Sequence, residues 1–98
     1  MSNEQSTTIL SADYATAERT LNEGITNADA ELIALALKNP HLEIKLRAAE
    51  TLGEIGDKQS IPHLKEALRE NQVVYTGGSE TKALQIELNK ALITALRS

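Results

Sequence analysis

The stretch IKLRAAETLGEIGDKQSIPHLKEAL, residues 44–68, decides the fold of this chain. Its first half carries apolar residues at helical spacing, with charged residues between them: Ile44, Ala48, Leu52 and Ile55. Gly56 and Asp57 then break the pattern, because glycine readily takes the left-handed conformation that ends a helix. A second apolar pattern follows: Ile61, Leu64, Ala67 and Leu68. The stretch therefore predicts two helices, over about 41–54 and 60–70, joined by a tight turn.

Polar residues and prolines mark where these two helices begin. Asn39 is placed to cap the first of them, and Pro40 suits a first helical position because it has no amide hydrogen to lose. Ser60 is placed to cap the second, with Pro62 in its first turn. The helix ends are thus predicted independently of the apolar pattern.

The same pattern occurs once more, 31 positions earlier. This shift lays apolar residues on apolar residues: Ala17 on Ala48, Leu21 on Leu52, Ile33 on Leu64, Ala36 on Ala67 and Leu37 on Leu68. It predicts helices over about 12–23 and 28–38, with Ser11 and Asn27 as their caps and Gly24 as the left-handed residue that ends the first. Helix pairs that cannot bury their apolar faces alone stack into solenoids.

The flanking segments complete the expected architecture. Residues 1–10 are polar until Ile9 and Leu10, so they predict a disordered or loosely tied leader. Residues 71–78 form the longest connection, and 79–96 read as a last helix. The sequence thus predicts an all-α fold, a short α-solenoid of about five helices in one domain over 11–98.

A family resemblance rests on three groups of residues: Ile44-Lys45, Ala48-Ala49 and the run Leu52–Asp57. They resemble the HEAT-like repeat of the phycobilisome-lyase (PBS lyase) type, over about 39–70 and more loosely over 14–38. Structural roles in the repeat fall on a set of six residues: Lys45, Ala48, Leu52, Gly53, Gly56 and Asp57. The resemblance implies that the basic residue and the aspartate of this set help to hold neighbouring units together.

The resemblance also implies a class of function. Proteins with such repeats include bilin lyase subunits, proteins of phycobilisome turnover and many scaffolds. The lyase subunits are longer and work in pairs, so lyase activity is not carried over to this chain. The expected role is a non-catalytic protein-protein interaction module, an adaptor or assembly factor, with a phycobilisome or another photosynthetic complex as the implied partner.

Composition excludes several other classes. The chain has 98 residues and a net charge of −4, and its ten bases are dispersed, so no basic stripe predicts nucleic-acid binding. It contains no cysteine, which is compatible with a cytoplasmic location and leaves no thiol nucleophile. No apolar run approaches the about 18 residues that a membrane span needs.

Chemistry-bearing motifs are equally few. The two histidines, His41 and His63, do not approach metal-ligand spacing with other donors. Gly77-Gly78-Ser79 lacks the upstream glycine and the lysine of a phosphate-binding loop. We therefore predict no metal, no cofactor and no catalytic residue, and no enzyme acting alone.

Three surfaces are candidates for partner binding. The first is the loop segment Val73, Val74 and Tyr75, which acts either as a flap over the end of the solenoid or as a contact loop. The second is the side of the last helix that carries Ile86 and Ile93, away from its buried stripe. These two isoleucines are either incidental on a capping helix, or they contact a partner or a second copy of the chain.

The third surface is the concave side of the stack, formed by the second helix of each pair. It carries charged residues of both signs: Glu31, Lys38, His63, Glu66 and Arg69. Such a face is either simply solvated or binds a helix or short segment of a partner. Two other functions stay open beside the adaptor: a small accessory subunit of a lyase or maturation enzyme, and a regulator that forms a homodimer through its last helix.

Overall fold

The computed structural model describes the backbone of residues 3–73 and 79–97, and side chains within 5–71 and 81–97. Six α-helices follow one another: α1 Asn3–Thr8, α2 Tyr14–Thr26, α3 Ala30–Ala36, α4 Leu42–Ile55, α5 Ile61–Val73 and α6 Ser79–Arg97. A 3-10 turn, Lys58–Ser60, leads into α5. No strand occurs within these described ranges, and the predicted all-α fold is confirmed.

The helices form a two-layered stack. Helices α2 and α3 make one hairpin and α4 and α5 the next, while α6 packs mainly on α4 and also on α5. The molecule measures 35 × 30 × 17 Å, and its short dimension matches two layers of helices about 8–10 Å apart. α6 therefore takes the place of the first helix of a third unit.

The predicted repeat positions form the core. Ala17 and Leu21 of α2 are buried, as are their equivalents Ala48 and Leu52 of α4. The second helices agree, since Ile33, Ala36, Leu64 and Ala67 are buried as well: they belong to one apolar cluster with Leu88 and Leu92 of α6. A shift of 31 residues in sequence is thus a translation from one unit to the next.

α4 and α6 run parallel and very close together. A Cβ placed on Gly53 would lie 3.3 Å from both Cα and Cβ of Ala95, near the ends of the two helices. Leu42 and Leu84 line one depression near their beginnings. Residues 42 positions apart therefore face each other along the whole contact, and this register did not follow from the 31-residue repeat.

Within the described residues 3–10, the structure differs from the predicted disordered or loosely tied leader. Residues 3–8 form α1, and Ile9 is fully buried beside the core. The reason lies in Asn39, also fully buried, whose Nδ2 donates to the carbonyl oxygens of Ile9 at 2.8 Å and Ser11 at 3.0 Å. One side chain thus fixes the backbone at the end of the leader.

The sequence predicts that Gly24 ends the first helix, and this prediction is wrong. Gly24 is buried within the last turn of α2, where an added Cβ would lie 3.2 Å from Leu32 Cδ2 of α3. The left-handed residue is Ala28, with a φ of 51°. The amide of Asp29 bonds to Gly24 O and that of Ala28 to Ile25 O, the two bonds of a Schellman motif.

The caps also differ in detail from those expected. Asp13 rather than Ser11 caps α2, and Asp29 rather than Asn27 caps α3, because each carboxylate accepts an amide three residues on. α4 is preceded by His41, whose amide donates to Asn39 Oδ1 at 2.8 Å. Gly56 ends α4 with a φ of 69°, as predicted.

Helix α5 is longer than predicted at its end. Residues 71–73, expected in the loop, still belong to it. Asn71 is buried, and its Nδ2 donates to Gln85 O at 2.9 Å and Asn89 Oδ1 at 2.7 Å. These bonds to α6 extend α5 by one turn, and they also explain why a polar residue follows the apolar stripe there.

Candidate functional site

The second helices of the two hairpins, α3 and α5, border a groove. One depression in it is lined by Lys38, His63 and Glu66, with Ala34, Leu37 and Ala67 at its floor. A second, of about 190 Å³, is lined by Glu31, Asp57 and His63. The two depressions share Ala34 and His63, so we treat them as one feature, the inner groove.

The inner groove combines an apolar floor with exposed charged walls. Ala34 and Leu37 are buried, whereas the side chains of Lys38, His63 and Glu66 are exposed. Among the side chains that the structure describes, these three form no ion pair with one another within 4.0 Å. Arg69 is exposed on the same helix but does not line either depression. The groove therefore brings together four of the five residues predicted for the concave face.

The outward side of α6 is the second predicted surface. Ile86 is 47% exposed and Ile93 38% exposed, whereas Leu88, Leu92 and Ala95 on the opposite side are buried. The two isoleucines are seven residues apart, which is two helical turns, so they share one face. The separation of this face from the buried stripe agrees with the sequence analysis.

The third predicted surface falls largely outside the described residues. Val73 ends α5, but its side chain is not among those described, and Val74 and Tyr75 lie outside the described backbone. The contact loop stays a prediction.

The structure places the six predicted repeat residues as follows. Ala48 and Leu52 are buried, Gly53 allows the close approach of α6, and Gly56 makes the left-handed turn. Asp57 Oδ1 accepts the amide of Gln59 at 2.9 Å within its own unit. Lys45 is half-buried on α4. A role of Lys45 and Asp57 in joining neighbouring units stays a prediction.

One polar cluster was not foreseen. Tyr14 donates from its hydroxyl to Glu43 Oε2 at 3.0 Å, and its ring meets that of His41 edge to face, with 5.3 Å between centroids. His41 Nε2 lies 2.6 Å from Ala12 O, and because a carbonyl only accepts, Nε2 carries the proton. A depression of about 460 Å³ is bordered by this cluster and by Leu84 of α6.

The stacking of helix starts explains this cluster. Tyr14 begins α2 and Glu43 lies in the first turn of α4, and successive units place equivalent helix ends side by side. The only available signal was that both residues lie in the first turn of equivalent helices. Nothing in the residue types themselves pointed to the contact.

The hydrogen bond to Glu43 raises the pKa of Tyr14 above its usual 10.0, with smaller contributions from desolvation and from the charges of Glu43 and Glu18. In a Tyr75→Phe variant, Tyr14 is the only tyrosine. We expect its absorbance titration to have a midpoint above 10.0, and Glu43→Ala to move that midpoint down toward 10.0. Glu50→Ala, on the same helix, is the matched control and should leave the midpoint unchanged.

The sign of the linked stability follows from the raised pKa. The bond stabilises the fold while Tyr14 is neutral, and this contribution is lost as the pH rises through the raised pKa of Tyr14. If the absorbance titration of Tyr14 had the same midpoint in Tyr75→Phe and in Tyr75→Phe/Glu43→Ala, the result would contradict the hydrogen bond.

Two further features concern metal binding and membrane insertion. Among the described residues, no three His, Asp or Glu side chains form a group that could hold a metal ion. Within the same residues, no helix is both long and apolar enough to cross a membrane.

Two stacked helix hairpins, with a further helix placed as the start of a third unit, define an α-solenoid repeat protein. Comparison with known families agrees: the HEAT repeats family matches residues 14–84, and the chain belongs to this family. The match is to HEAT repeats in general, and the phycobilisome-lyase subtype stays a prediction. No curated protein and no solved structure matches the chain.

Proposed function

We propose that this chain is a non-catalytic protein-interaction module, an adaptor or assembly factor, that binds a segment of a partner protein in the inner groove between α3 and α5. HEAT repeats generally mediate protein-protein interactions, which gives the class of function. The observation that carries the choice of surface is the groove itself, with its buried apolar floor and its exposed charged walls.

The dimensions of the groove favour side chains of a partner over a small molecule. Its larger depression is about 190 Å³, whereas sites for small molecules and cofactors usually measure about 300–1,000 Å³. Lys38 and Glu66 border the same floor and can pair with groups of opposite sign. The partner segment that fits best places an apolar side chain over Ala34 and Leu37 and carries both an acid and a base beside it.

More specific functions rest on the sequence alone. The link to a phycobilisome or another photosynthetic complex, the accessory subunit of a lyase or maturation enzyme, and the dimeric regulator all stay predictions. The cytoplasmic location stays a prediction as well. Identification of the bound protein would decide among them.

Photo-crosslinking tests the groove directly. A benzoylphenylalanine in place of Glu66 lies at the wall of the inner groove, and one in place of Arg47 lies on the exposed side of α4 as a matched control. After illumination in the native host, we expect a defined protein adduct from position 66 and none of the same mass from position 47. A His63→Ala substitution should reduce the adduct at least about five-fold, since it removes a wall residue shared by both depressions.

Two results would contradict the proposal. Identical adducts from positions 66 and 47 would show that the groove has no specificity. Adducts of the chain with itself alone would show that it does not bind another protein there. Circular dichroism of each variant confirms that the helices remain folded.

A further inference from the structure

The outer face of α6 differs in charge from the rest of the chain. Its centre is formed by Ile86 and Ile93, which lie about 10 Å apart along the helix axis. At about 100° of rotation per residue, Lys82, Lys90 and Arg97 lie within about 40° of Ile86. All three bases are exposed. We call these five residues the α6 outer face.

The described part of α6 carries few acids on this side, although Glu50 and Glu54 of α4 line the same depression as Lys90. Glu87 is the only acid within residues 81–97, and it points about 100° away from Ile86, into the depression between α4 and α6. It lies 4.0 Å from Lys90, with both side chains more than half exposed, so this ion pair contributes little. A chain with a net charge of −4 therefore presents a local face that is both basic and apolar.

The position of α6 in the stack shows which shape would fit. α4 receives α6 in parallel along its whole length, through Gly53 and Ala95 at one end and Leu42 and Leu84 at the other. Ile86 and Ile93 are turned away from α4, on the side where a solenoid adds its next helix, whereas Lys90 lies at the edge that also borders the depression between α4 and α6. A helix is thus the element that this face is shaped to receive.

The charges of the α6 outer face indicate whether the bound helix belongs to a second copy of the chain or to another protein. In a two-fold dimer through α6, Ile86 of one copy opposes Ile93 of the other, and Lys82 then opposes Arg97 twice. Like charges that face each other oppose association, so a second copy is the wrong partner. A lipid surface would need a wider apolar face than two isoleucines, and an acidic chain gains little from anionic lipids.

We propose that the α6 outer face binds an amphipathic helix of a partner protein, with apolar side chains seven residues apart against Ile86 and Ile93 and with Asp or Glu on its flanks. Its acids pair with Lys82, Lys90 and Arg97. This surface is separate from the inner groove, so the proposal does not depend on the proposed function. With both surfaces occupied, the chain would join two proteins.

The test uses synthetic helical peptides of about 18 residues, enough for five turns. One carries leucines seven positions apart with glutamates on both flanks, and the other has lysines in place of the glutamates. We expect the acidic peptide to bind the full chain at least about ten-fold more tightly, and to shift amide resonances of residues 81–97 but not those of α3. Ile86→Asp/Ile93→Asp should abolish binding, and because both sites are exposed the fold should be retained.

Charge reversal gives the decisive control. Lys82→Glu/Lys90→Glu/Arg97→Glu should exchange the preference, so that the lysine peptide becomes the tighter ligand. Arg19→Glu/Lys58→Glu changes exposed bases away from both α6 and the inner groove and should leave binding as it was. Equal binding of both peptides, resonance shifts outside 81–97, or a dimer that dissociates in Ile86→Asp/Ile93→Asp would each overturn the proposal.

Discussion

Gly53→Leu is expected to lower the free energy of unfolding by about 3 kcal/mol, because overpacking a close helix contact typically costs about 1–3 kcal/mol or more. A Cβ at position 53 already meets backbone and side chain of Ala95 at 3.3 Å, so the larger side chain must push α6 away from α4. For a domain of this size the midpoint of thermal unfolding should fall by about 15 °C. Urea unfolding followed by circular dichroism measures the effect.

Gly53→Ala is the graded control for this prediction. One methyl group requires a displacement of a few tenths of an ångström, while alanine in place of a helical glycine gains about 0.5–1 kcal/mol. The two effects oppose each other, so Gly53→Ala should stay within about 1 kcal/mol of the parent protein. If Gly53→Leu were as stable as Gly53→Ala, α6 would not pack on α4 in the way described.

Asn39→Ala is expected to lower the free energy of unfolding by about 2–4 kcal/mol. The side chain is fully buried and makes three hydrogen bonds, two donated to the carbonyls of Ile9 and Ser11 and one accepted from the amide of His41. Its removal leaves the buried carbonyl of Ile9 without its donor and frees the end of the leader. Amide hydrogen exchange should therefore become faster in α1 before it does so in α4.

Two further variants isolate the cause. Asn22→Ala, at an exposed position of α2, should change stability by no more than about 0.5 kcal/mol. Asn39→Asp keeps the acceptor for His41 but turns a carboxylate toward two carbonyl oxygens, so it should be at least as unstable as Asn39→Ala at neutral pH. Acidification should partly rescue it, because a protonated carboxyl can donate again. An unchanged stability of Asn39→Ala would contradict the central role of this residue.

The candidate surfaces were predictable only where the helical periodicity alone decides which side chains are exposed. The exposure of Ile86 and Ile93 follows from their angle to the buried stripe of α6, and the charged residues of the inner groove follow from their place on the second helix of each pair. The cluster of Tyr14, His41 and Glu43 was missed, because it depends on how two helix starts lie against each other.

The sequence by itself determined the repeat, the all-α class and the turn at Gly56. These follow from local physics: helical spacing decides which residues are buried, and a left-handed residue without a Cβ ends a helix at little cost. The 31-residue spacing then shows which helices correspond to each other in successive units, because equivalent apolar faces must be covered in the same way.

Only the tertiary structure decided three features: the conformation of the leader, the role of Gly24 and the register of α6 on α4. Gly24 reads as a helix end in sequence, but the close approach of Leu32 keeps it inside α2 and moves the left-handed turn to Ala28. Asn39 reads as a cap, yet its buried amide also fixes Ile9. In each case a contact between residues distant in sequence outweighed a local preference of about 1 kcal/mol, and no local pattern records such contacts.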